Sequence, residues 1–166
     1  MSPVLTIVFL VALQRLAELL YARRNTRRLL AEGAVEVGRG HYPLIVLLHL
    51  CWLAALVLFV APQASFIWWL IGLYGVLQVG RVWIYLALGR FWTTRIITLP
   101  GAALVQHGPY RYCQHPNYLI VAAEIAVLPL AFGAWEIAII FSLLNAAVTA
   151  WRIRVEEQAL TARRAA

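Results

Sequence analysis

The chain has 166 residues, of which 63% are hydrophobic and 13% are charged, and its mean hydropathy is +0.79. An average soluble domain carries about 25% charged residues, so this composition excludes a soluble globular protein and predicts an integral membrane protein. The formal net charge is +7, and every basic residue other than histidine is an arginine. Because these arginines stand beside apolar segments, we interpret them as contacts with membrane lipids and expect no nucleic-acid partner.

Five apolar segments predict the fold. The first three reach the roughly 20 residues that a helix needs to cross a bilayer. The last two are shorter, and only Gly133 and Ala134 separate them. Backbone polar groups in hydrocarbon must pair within their own segment, so we predict an all-α, polytopic membrane bundle of about five transmembrane helices. The segments are Pro3–Ala22, Tyr42–Val60, Phe66–Leu88, Tyr118–Phe132 and Trp135–Trp151.

The last two segments are expected to form a tight helical hairpin, which either crosses the bilayer or re-enters it. We expect one domain over residues 1–166. The first segment is not expected to be a cleaved signal peptide, because its basic residues follow the apolar run instead of preceding it.

The arginines also predict an orientation. They follow the first, third and fifth segments, whereas residues 60–65 carry no charge. Cytoplasmic loops are enriched in arginine, so we expect the N-terminus outside the cell and the C-terminus in the cytoplasm. The arginines that support this are Arg23, Arg24, Arg27, Arg28, Arg90, Arg95, Arg111, Arg152, Arg154, Arg163 and Arg164.

Polar residues inside the segments recur at helical spacing and so share a face. Ionisable groups at membrane depth are costly, so they are expected to face the protein interior or a wet cavity. Arg81 and Glu124 are therefore candidates for substrate contact. The alternative is interhelical pairing, in which Arg15 or Arg81 meets Glu18 or Glu124. The three polar faces are Gln14, Glu18, Tyr21 and Asn25; Tyr74, Gln78, Arg81 and Tyr85; and Ser142, Asn145, Thr149, Arg152 and Glu156.

The sequence also carries histidines and cysteines that could bind a metal or a cofactor. His49 lies alone in an apolar stretch and is expected to be a hydrogen-bonded core histidine. Cys51 and Cys113 are not expected to form a disulfide, and neither has the spacing of a zinc site, so we expect no metal. A small membrane subunit that binds quinone or haem through His49 and His115 is a non-enzymatic alternative.

The most informative stretch is polar and lies between apolar segments. Residues 108–118 read Gly-Pro-Tyr-Arg-Tyr-Cys-Gln-His-Pro-Asn-Tyr, and residues 152–160 read Arg-Ile-Arg-Val-Glu-Glu-Gln-Ala-Leu. The chain has no phosphate-binding loop, dinucleotide-binding glycine pattern or nucleophilic serine elbow. Arginines, tyrosines, a histidine and a glutamate pair suffice for methyl transfer from an activated donor, because the protein needs mainly to align the reactants.

These two motifs resemble the cofactor-binding signature of the isoprenylcysteine carboxyl methyltransferase (ICMT) family of integral membrane methyltransferases. The resemblance extends over residues 90–160. Shorter matches further back, at residues 14–18, 24–25 and 41–43, are similar to a short bacterial branch, which would place the protein in a bacterial inner or plasma membrane. Gln114 is a departure, because a basic residue usually precedes the histidine. The matching residues are Gly108, Tyr110, His115, Pro116, Tyr118, Arg152, Glu156, Glu157 and Leu160.

The resemblance implies S-adenosylmethionine as the cofactor. Arg152 would face the methyl acceptor as the catalytic residue, with Arg81 and Glu124 as further substrate contacts. The residues that would contact the cofactor are Leu104, Val105, Tyr110, His115, Pro116, Asn117, Tyr118 and Glu156.

Resemblance to the family leaves the acceptor open. Eukaryotic members methylate the carboxylate of a prenylated cysteine, whereas short bacterial relatives look more like O-methyltransferases of long-chain phenols or pyrones. We favour a lipophilic acceptor of the second kind, with an isoprenylcysteine-like carboxylate as the alternative. The sequence does not indicate an oligomeric state.

Overall fold

The computed structural model describes residues 2–165, and it describes side chains in this range except those of His41, Leu160 and residues 162–165. The predicted role of Arg163 and Arg164 in orientation lies outside the described side chains. Two short antiparallel strands accompany five helices. The elements are α1 (Pro3–Ala31), β1 (Val35–Val37), α2 (Tyr42–Phe59), α3 (Trp68–Leu88), β2 (Ile96–Thr98), α4 (Pro116–Ala131) and α5 (Trp135–Ala165).

The helices confirm the predicted membrane bundle. Four of those described, α1, α2, α3 and α5, are long and apolar enough to cross a membrane. The remaining helix, α4, has 16 residues, which corresponds to about 24 Å and is shorter than a hydrocarbon core of about 30 Å. The protein is therefore an integral membrane protein built almost entirely from helices.

Two helices continue past the ends of their apolar segments. The first ends at Ala31 instead of Ala22, and the fifth continues past Trp151. Hydropathy marks only the part of a helix that faces lipid, so it does not detect polar turns that continue beyond the membrane. The extension of α1 is fixed by Asn25, whose side-chain amide donates to the carbonyl oxygens of Gly89 at 3.2 Å and Trp92 at 2.9 Å.

The hairpin between α4 and α5 is closed by a glycine turn. Gly133 has a φ of +74°, a left-handed conformation that suits glycine because it has no Cβ. The amide of Gly133 donates to the Leu130 carbonyl, and the amide of Ala134 donates to the Pro129 carbonyl, each at 2.9 Å. These two bonds are the Schellman pattern that satisfies the last carbonyl groups of a helix. The predicted tight hairpin is confirmed.

The two strands join the loop after α1 to the loop after α3. They pair in antiparallel register with Val35 opposite Thr98 and Val37 opposite Ile96. The carboxylate of Glu36 holds the neighbouring side chains in place, because Arg95 donates to it at 2.9 Å and Arg39 lies 3.4 Å away. Sequence analysis did not predict this pair, because three-residue strands have no detectable periodicity. Its consequence is that residues 96–98 are held over one end of the helix bundle.

Candidate active site

The first motif forms a short helical turn, Gly108–Arg111, that packs against α3. Gly108 has a φ of +61°, and a Cβ added there would lie 2.9 Å from the Cβ of Ala87 and 3.4 Å from Trp83 Nε1. Both the backbone conformation and the close approach require glycine. The motif glycine therefore seats the turn directly on α3 and places Tyr110 beside the loop that leads to α4.

The second half of the motif starts α4. Pro116 occupies the first turn of the helix, where its fixed φ is favourable and its missing N–H is not needed. His115 stacks on Tyr118, with ring centroids 5.4 Å apart and planes 25° apart. This packing directs both rings toward the end of α5.

Three side chains link α4 to α5. The Nε of Arg152 donates to the hydroxyl of Tyr118 at 2.7 Å, and that hydroxyl donates to the Oε2 of Glu156 at 2.5 Å. His115 Nδ1 lies 3.7 Å from the same glutamate oxygen. Arg152 and Glu156 are one helical turn apart, so they lie on one face of α5. Tyr118 thus connects an arginine on one side with a glutamate on the other.

A polar cavity of about 830 Å³ opens on the Glu156 side of these residues. Most of the predicted cofactor residues line it, which brings the two sequence motifs together with the loop before them. Burial, followed by the charge of Glu156, raises the pKa of the Tyr110 hydroxyl above its ordinary value, so Tyr110 stays neutral. The predicted residues that line the polar cavity are Leu104, Val105, Tyr110, His115, Asn117, Tyr118, Arg152 and Glu156.

A second, apolar cavity of about 170 Å³ lies between the helices on the other side of Tyr118. It is lined by residues from all five helices, including His49, Arg81 and Asn145. Several residues line both cavities, and they mark the place where the two spaces meet. These shared residues are Trp92, Thr93, Asn117, Tyr118 and Arg152.

Polar atoms at this junction lack partners within the protein. Arg152 is only 9% exposed, yet its guanidinium donates only through Nε, so both terminal nitrogens are without a hydrogen bond in the described part of the chain. Among the described residues, Asn117 Oδ1 and His115 Nε2 are also buried without a hydrogen-bond partner, although His115 Nε2 lies 3.8 Å from Glu157 Oε1. Buried polar groups are nearly always paired, so the open groups of Asn117 and Arg152 at the junction, with His115 in the adjoining polar cavity, indicate a binding site for polar ligand atoms.

Two predicted residues are placed differently from the expectation. Pro116 is buried and lines neither cavity, so its position fits a role in starting α4 and not a cofactor contact. Glu124 is completely buried and lines neither cavity, because other side chains occupy both of its oxygens. Arg81 does line the apolar cavity.

Glu124 lies at the centre of an ion-pair cluster that joins α1, α3 and α4. Arg81 donates to both carboxylate oxygens, and Arg15 donates to one of them at 2.6 Å. Both arginines also donate to Glu18, each at 3.1 Å. Gln78 completes the set with a bond of 2.8 Å to Glu124. The alternative interpretation of these residues, interhelical pairing, is what the structure contains.

Sequence reasoning missed part of the junction. Trp92 and Thr93 follow α3 and line both cavities, and β2 supplies Ile96 to Thr98 to the polar cavity. The only signal was the run of aromatic and polar residues at 91–95 between an apolar segment and the first motif. Such a run is common at a membrane surface and does not by itself indicate a site.

Comparison with known proteins identifies the family of the chain. Residues 69–162 match the model of the isoprenylcysteine carboxyl methyltransferase (ICMT) family. The uncharacterized protein YpbQ of Bacillus subtilis is 38% identical over 160 residues, which cover 93% of this chain and 94% of that protein. An uncharacterized protein of Haemophilus influenzae is 26% identical over 145 residues, covering 83% of each chain. No solved structure matches.

The fold and the site define an integral membrane protein with a polar cavity at one end of its bundle and an apolar cavity among its helices. The chain belongs to the ICMT family and is a membrane methyltransferase.

Proposed function

We propose that the protein transfers a methyl group from S-adenosylmethionine to an oxygen of a lipophilic acceptor, of the long-chain phenol or pyrone type. The observation that supports this most directly is the meeting of a polar cavity and an apolar cavity at Tyr118 and Arg152. A water-soluble donor and a membrane-soluble acceptor need separate spaces that share one reaction point. When bound, S-adenosylmethionine supplies a methyl group already activated on a sulfonium.

The polar cavity fits such a cofactor in size and chemistry. Its volume of about 830 Å³ lies within the roughly 300–1,000 Å³ of small-molecule sites. Glu156 and Glu157 offer carboxylates for ammonium and ribose hydroxyl groups. Tyr110, Trp92 and Tyr118 offer aromatic faces for adenine and for a cationic centre. The unpaired oxygen of Asn117 and the unpaired His115 Nε2 offer further polar contacts.

The apolar cavity supports a lipophilic acceptor whose reacting oxygen lies at Arg152. The two free terminal nitrogens of this guanidinium form a planar pair that suits an ionised phenol, enol or carboxylate. Tyr118 fixes the guanidinium through Nε and its ring lies beneath it, with Cζ 5.5 Å from the ring centroid. In this role Arg152 holds and stabilises a negatively charged oxygen, so no strong base is required.

Two other functions are alternatives to the proposed reaction. Carboxyl methylation of an isoprenylcysteine-like substrate uses the same arginine and is the alternative acceptor chemistry. A quinone or haem subunit is less well supported, because His49 lines the apolar cavity and His115 lines the polar one. The two histidines therefore do not share one cavity.

The test is methyl transfer from labelled S-adenosylmethionine to lipids extracted from the source membrane, with the purified protein in detergent. We expect label in a neutral, alkali-stable lipid ether and calorimetric binding of both S-adenosylmethionine and its demethylated product. Label that alkali releases as methanol would indicate a methyl ester and the carboxylate alternative. Absence of cofactor binding would overturn the proposal.

A further inference from the structure

One ring nitrogen of His49 makes a hydrogen bond within the protein, and the other makes none within the described part of the chain. Its Nδ1 lies 2.8 Å from the carbonyl oxygen of Ile45 one turn earlier in α2. The ring is half-buried and lines the apolar cavity, and Nε2 makes no hydrogen bond within the described part of the chain. Among the described residues Nε2 has no hydrogen-bond partner but is not fully enclosed, so it keeps accessible surface in a ring that lines the apolar cavity. The expected core histidine therefore has a polar atom that no protein group satisfies.

The hydrogen bond of Nδ1 determines whether Nε2 is a donor or an acceptor. A carbonyl oxygen only accepts hydrogen bonds, so Nδ1 carries the proton. In an apolar setting the neutral ring is favoured over the charged one. Nε2 then presents a lone pair to the cavity and acts as a hydrogen-bond acceptor.

The terminal nitrogens of the neighbouring arginines bond to nearby side chains, whereas Arg15 Nε is buried without a hydrogen-bond partner among the described residues. Arg81 uses Nε and both terminal nitrogens on Glu124, Glu18 and Tyr85. The terminal nitrogens of Arg15 bond to Glu18 and Glu124. An arginine has no acceptor atom, so His49 Nε2 supplies an acceptor for a ligand hydroxyl on the α2 side of the cavity.

His49 and Arg152 line the same apolar cavity. Tyr42 begins α2 and accepts a hydrogen bond from Thr94, next to the shared residue Thr93, at 3.3 Å; His49 lies seven residues further on, about 10 Å along the helix. Side chains tilt toward the N-terminus of their helix, so His49 leans back toward the cavity junction. Arg152 on α5, which runs in the opposite direction, leans from the junction into the bundle.

We propose that His49 Nε2 accepts a hydrogen bond from a second hydroxyl group of the acceptor, beside the oxygen that Arg152 holds. This inference rests on the proposed function and narrows its substrate class to amphiphiles with two neighbouring oxygen functions on the headgroup. A single carboxylate has no hydroxyl proton to donate once it is ionised, so His49 favours the phenolic or enolic class over the carboxylate class. His49 is thus a specificity-determining residue.

The experiment compares two acceptors that differ in one hydroxyl group. The probes are a long-chain alkylphenol and the matched alkyl dihydroxybenzene with its hydroxyls meta to each other. Their dissociation constants are measured on protein saturated with S-adenosylhomocysteine, and their KM and kcat values are measured with S-adenosylmethionine. We expect the wild-type protein to bind the dihydroxy probe about three- to tenfold more tightly, the range of one neutral hydrogen bond.

Substitution of His49 then tests the source of that preference. His49→Phe keeps an aromatic ring but removes the acceptor, so we expect it to abolish the difference by weakening only the dihydroxy probe. His49→Gln retains an acceptor oxygen and should restore part of the preference. Val46→Ala, at a lining residue without a polar group, should weaken both probes alike. Thermal unfolding and cofactor affinity show whether each variant is folded.

The outcomes separate this inference from the proposed function. A preference that depends on His49 but occurs without methyl transfer would support the role of His49 and contradict the proposed reaction. Equal binding of the two probes by the wild-type protein would overturn the inference, as would no binding of either. A preference that persists in His49→Phe would also overturn it.

Discussion

Tyr118 has contacts with both partners of the proposed reaction site. Its hydroxyl accepts a hydrogen bond from Arg152 and donates one to Glu156. The acceptor side and the cofactor side are therefore joined through one oxygen atom. Arg152 uses only Nε in this contact. Its two terminal nitrogens therefore remain available to a ligand.

Loss of a cofactor contact should weaken binding without unfolding the protein. We expect His115→Ala and Glu156→Ala to reduce the affinity for S-adenosylmethionine by about 1–3 kcal/mol, the cost of leaving a polar partner unmet. Isothermal titration calorimetry measures the change. Glu136→Ala is the matched control, because Glu136 is an exposed residue at the opposite end of α5. Unchanged affinity in both site variants would refute the assignment of the polar cavity.

Arg152 should affect turnover more than cofactor binding. We expect Arg152→Ala to lower kcat/KM for the lipid acceptor by at least about a hundredfold, equivalent to roughly 2.7 kcal/mol, while cofactor affinity stays within about threefold. Arg152→Lys should recover only part of the activity, because an ammonium cannot reproduce a planar two-pronged contact.

The structural alternative predicts a different pattern for the same variant. If Arg152 serves only to tie α5 to Tyr118, Arg152→Ala should lower the unfolding temperature and the cofactor affinity together. Full activity of Arg152→Ala on the native lipid would exclude an acceptor role. Thermal unfolding in detergent, measured beside the kinetics, distinguishes the two cases.

At the scale of elements, the ion-pair cluster ties α4 to α1 and α3. Glu124 receives hydrogen bonds from Arg15, Arg81 and Gln78, which come from those two helices. The same α4 begins with His115 and Tyr118 at the cavity junction. We interpret the cluster as the anchor that sets the position of α4, and hence of the residues at its start.

Breaking this cluster should cost far more stability than breaking a surface pair. We expect Glu124→Ala to lower the free energy of unfolding by about 3–5 kcal/mol, because it leaves the buried Arg81 and the half-buried Arg15 short of a counter-charge. Glu32→Ala is the control: the Glu32–Arg90 pair is 3.0 Å apart but 42% and 55% exposed, and such pairs contribute about 0–1 kcal/mol. Equilibrium unfolding in mixed micelles measures both.

A contrary result would change the role of Glu124. Wild-type stability combined with a higher KM for the acceptor would place Glu124 in direct contact with substrate, as the sequence initially predicts. Loss of stability together with weaker cofactor binding would support the anchoring role.

At the scale of the whole molecule, the charge distribution predicts the orientation of the protein in the membrane, and hence the face to which the polar cavity opens. We expect a cysteine at Gln63 to react with an impermeant thiol reagent from outside the cell and a cysteine at Arg163 to be protected, because the arginine-rich segments should stay in the cytoplasm. The background should lack Cys51 and Cys113. Outside labelling at residue 163 would reverse the orientation.

The same assay decides whether the hairpin of α4 and α5 crosses the bilayer. Residue 136 is the suitable position, because Gly133 has a positive φ that a cysteine would strain. Reaction of Glu136→Cys from outside means that the hairpin crosses. Protection in intact cells and reaction after permeabilisation mean that it re-enters.

The sequence by itself determined that the protein lies in a membrane, where its apolar helices run and which motifs it carries. Apolar runs near 20 residues predict spanning helices because backbone polar groups in hydrocarbon must pair locally. The pairing of Arg15 and Arg81 with Glu18 and Glu124 was one of two interpretations left open, because spacing places residues on a face but does not select their partners. The apolar segments stop at Ala22 and Trp151 because hydropathy responds to lipid contact alone, whereas the helical spacing of Asn25 and Glu156 already indicates that both helices continue.

Only the tertiary structure decided which polar residues form the site. It buried Glu124 in an ion cluster while leaving the terminal nitrogens of Arg152 open, although both are charged residues in largely apolar helices. It also brought Trp92, Thr93 and His49 to the cavities, residues that no motif contains. The physical reason is that a hydrogen bond between helices depends on how the helices pack in three dimensions. A periodic pattern within one helix carries no information about its neighbour.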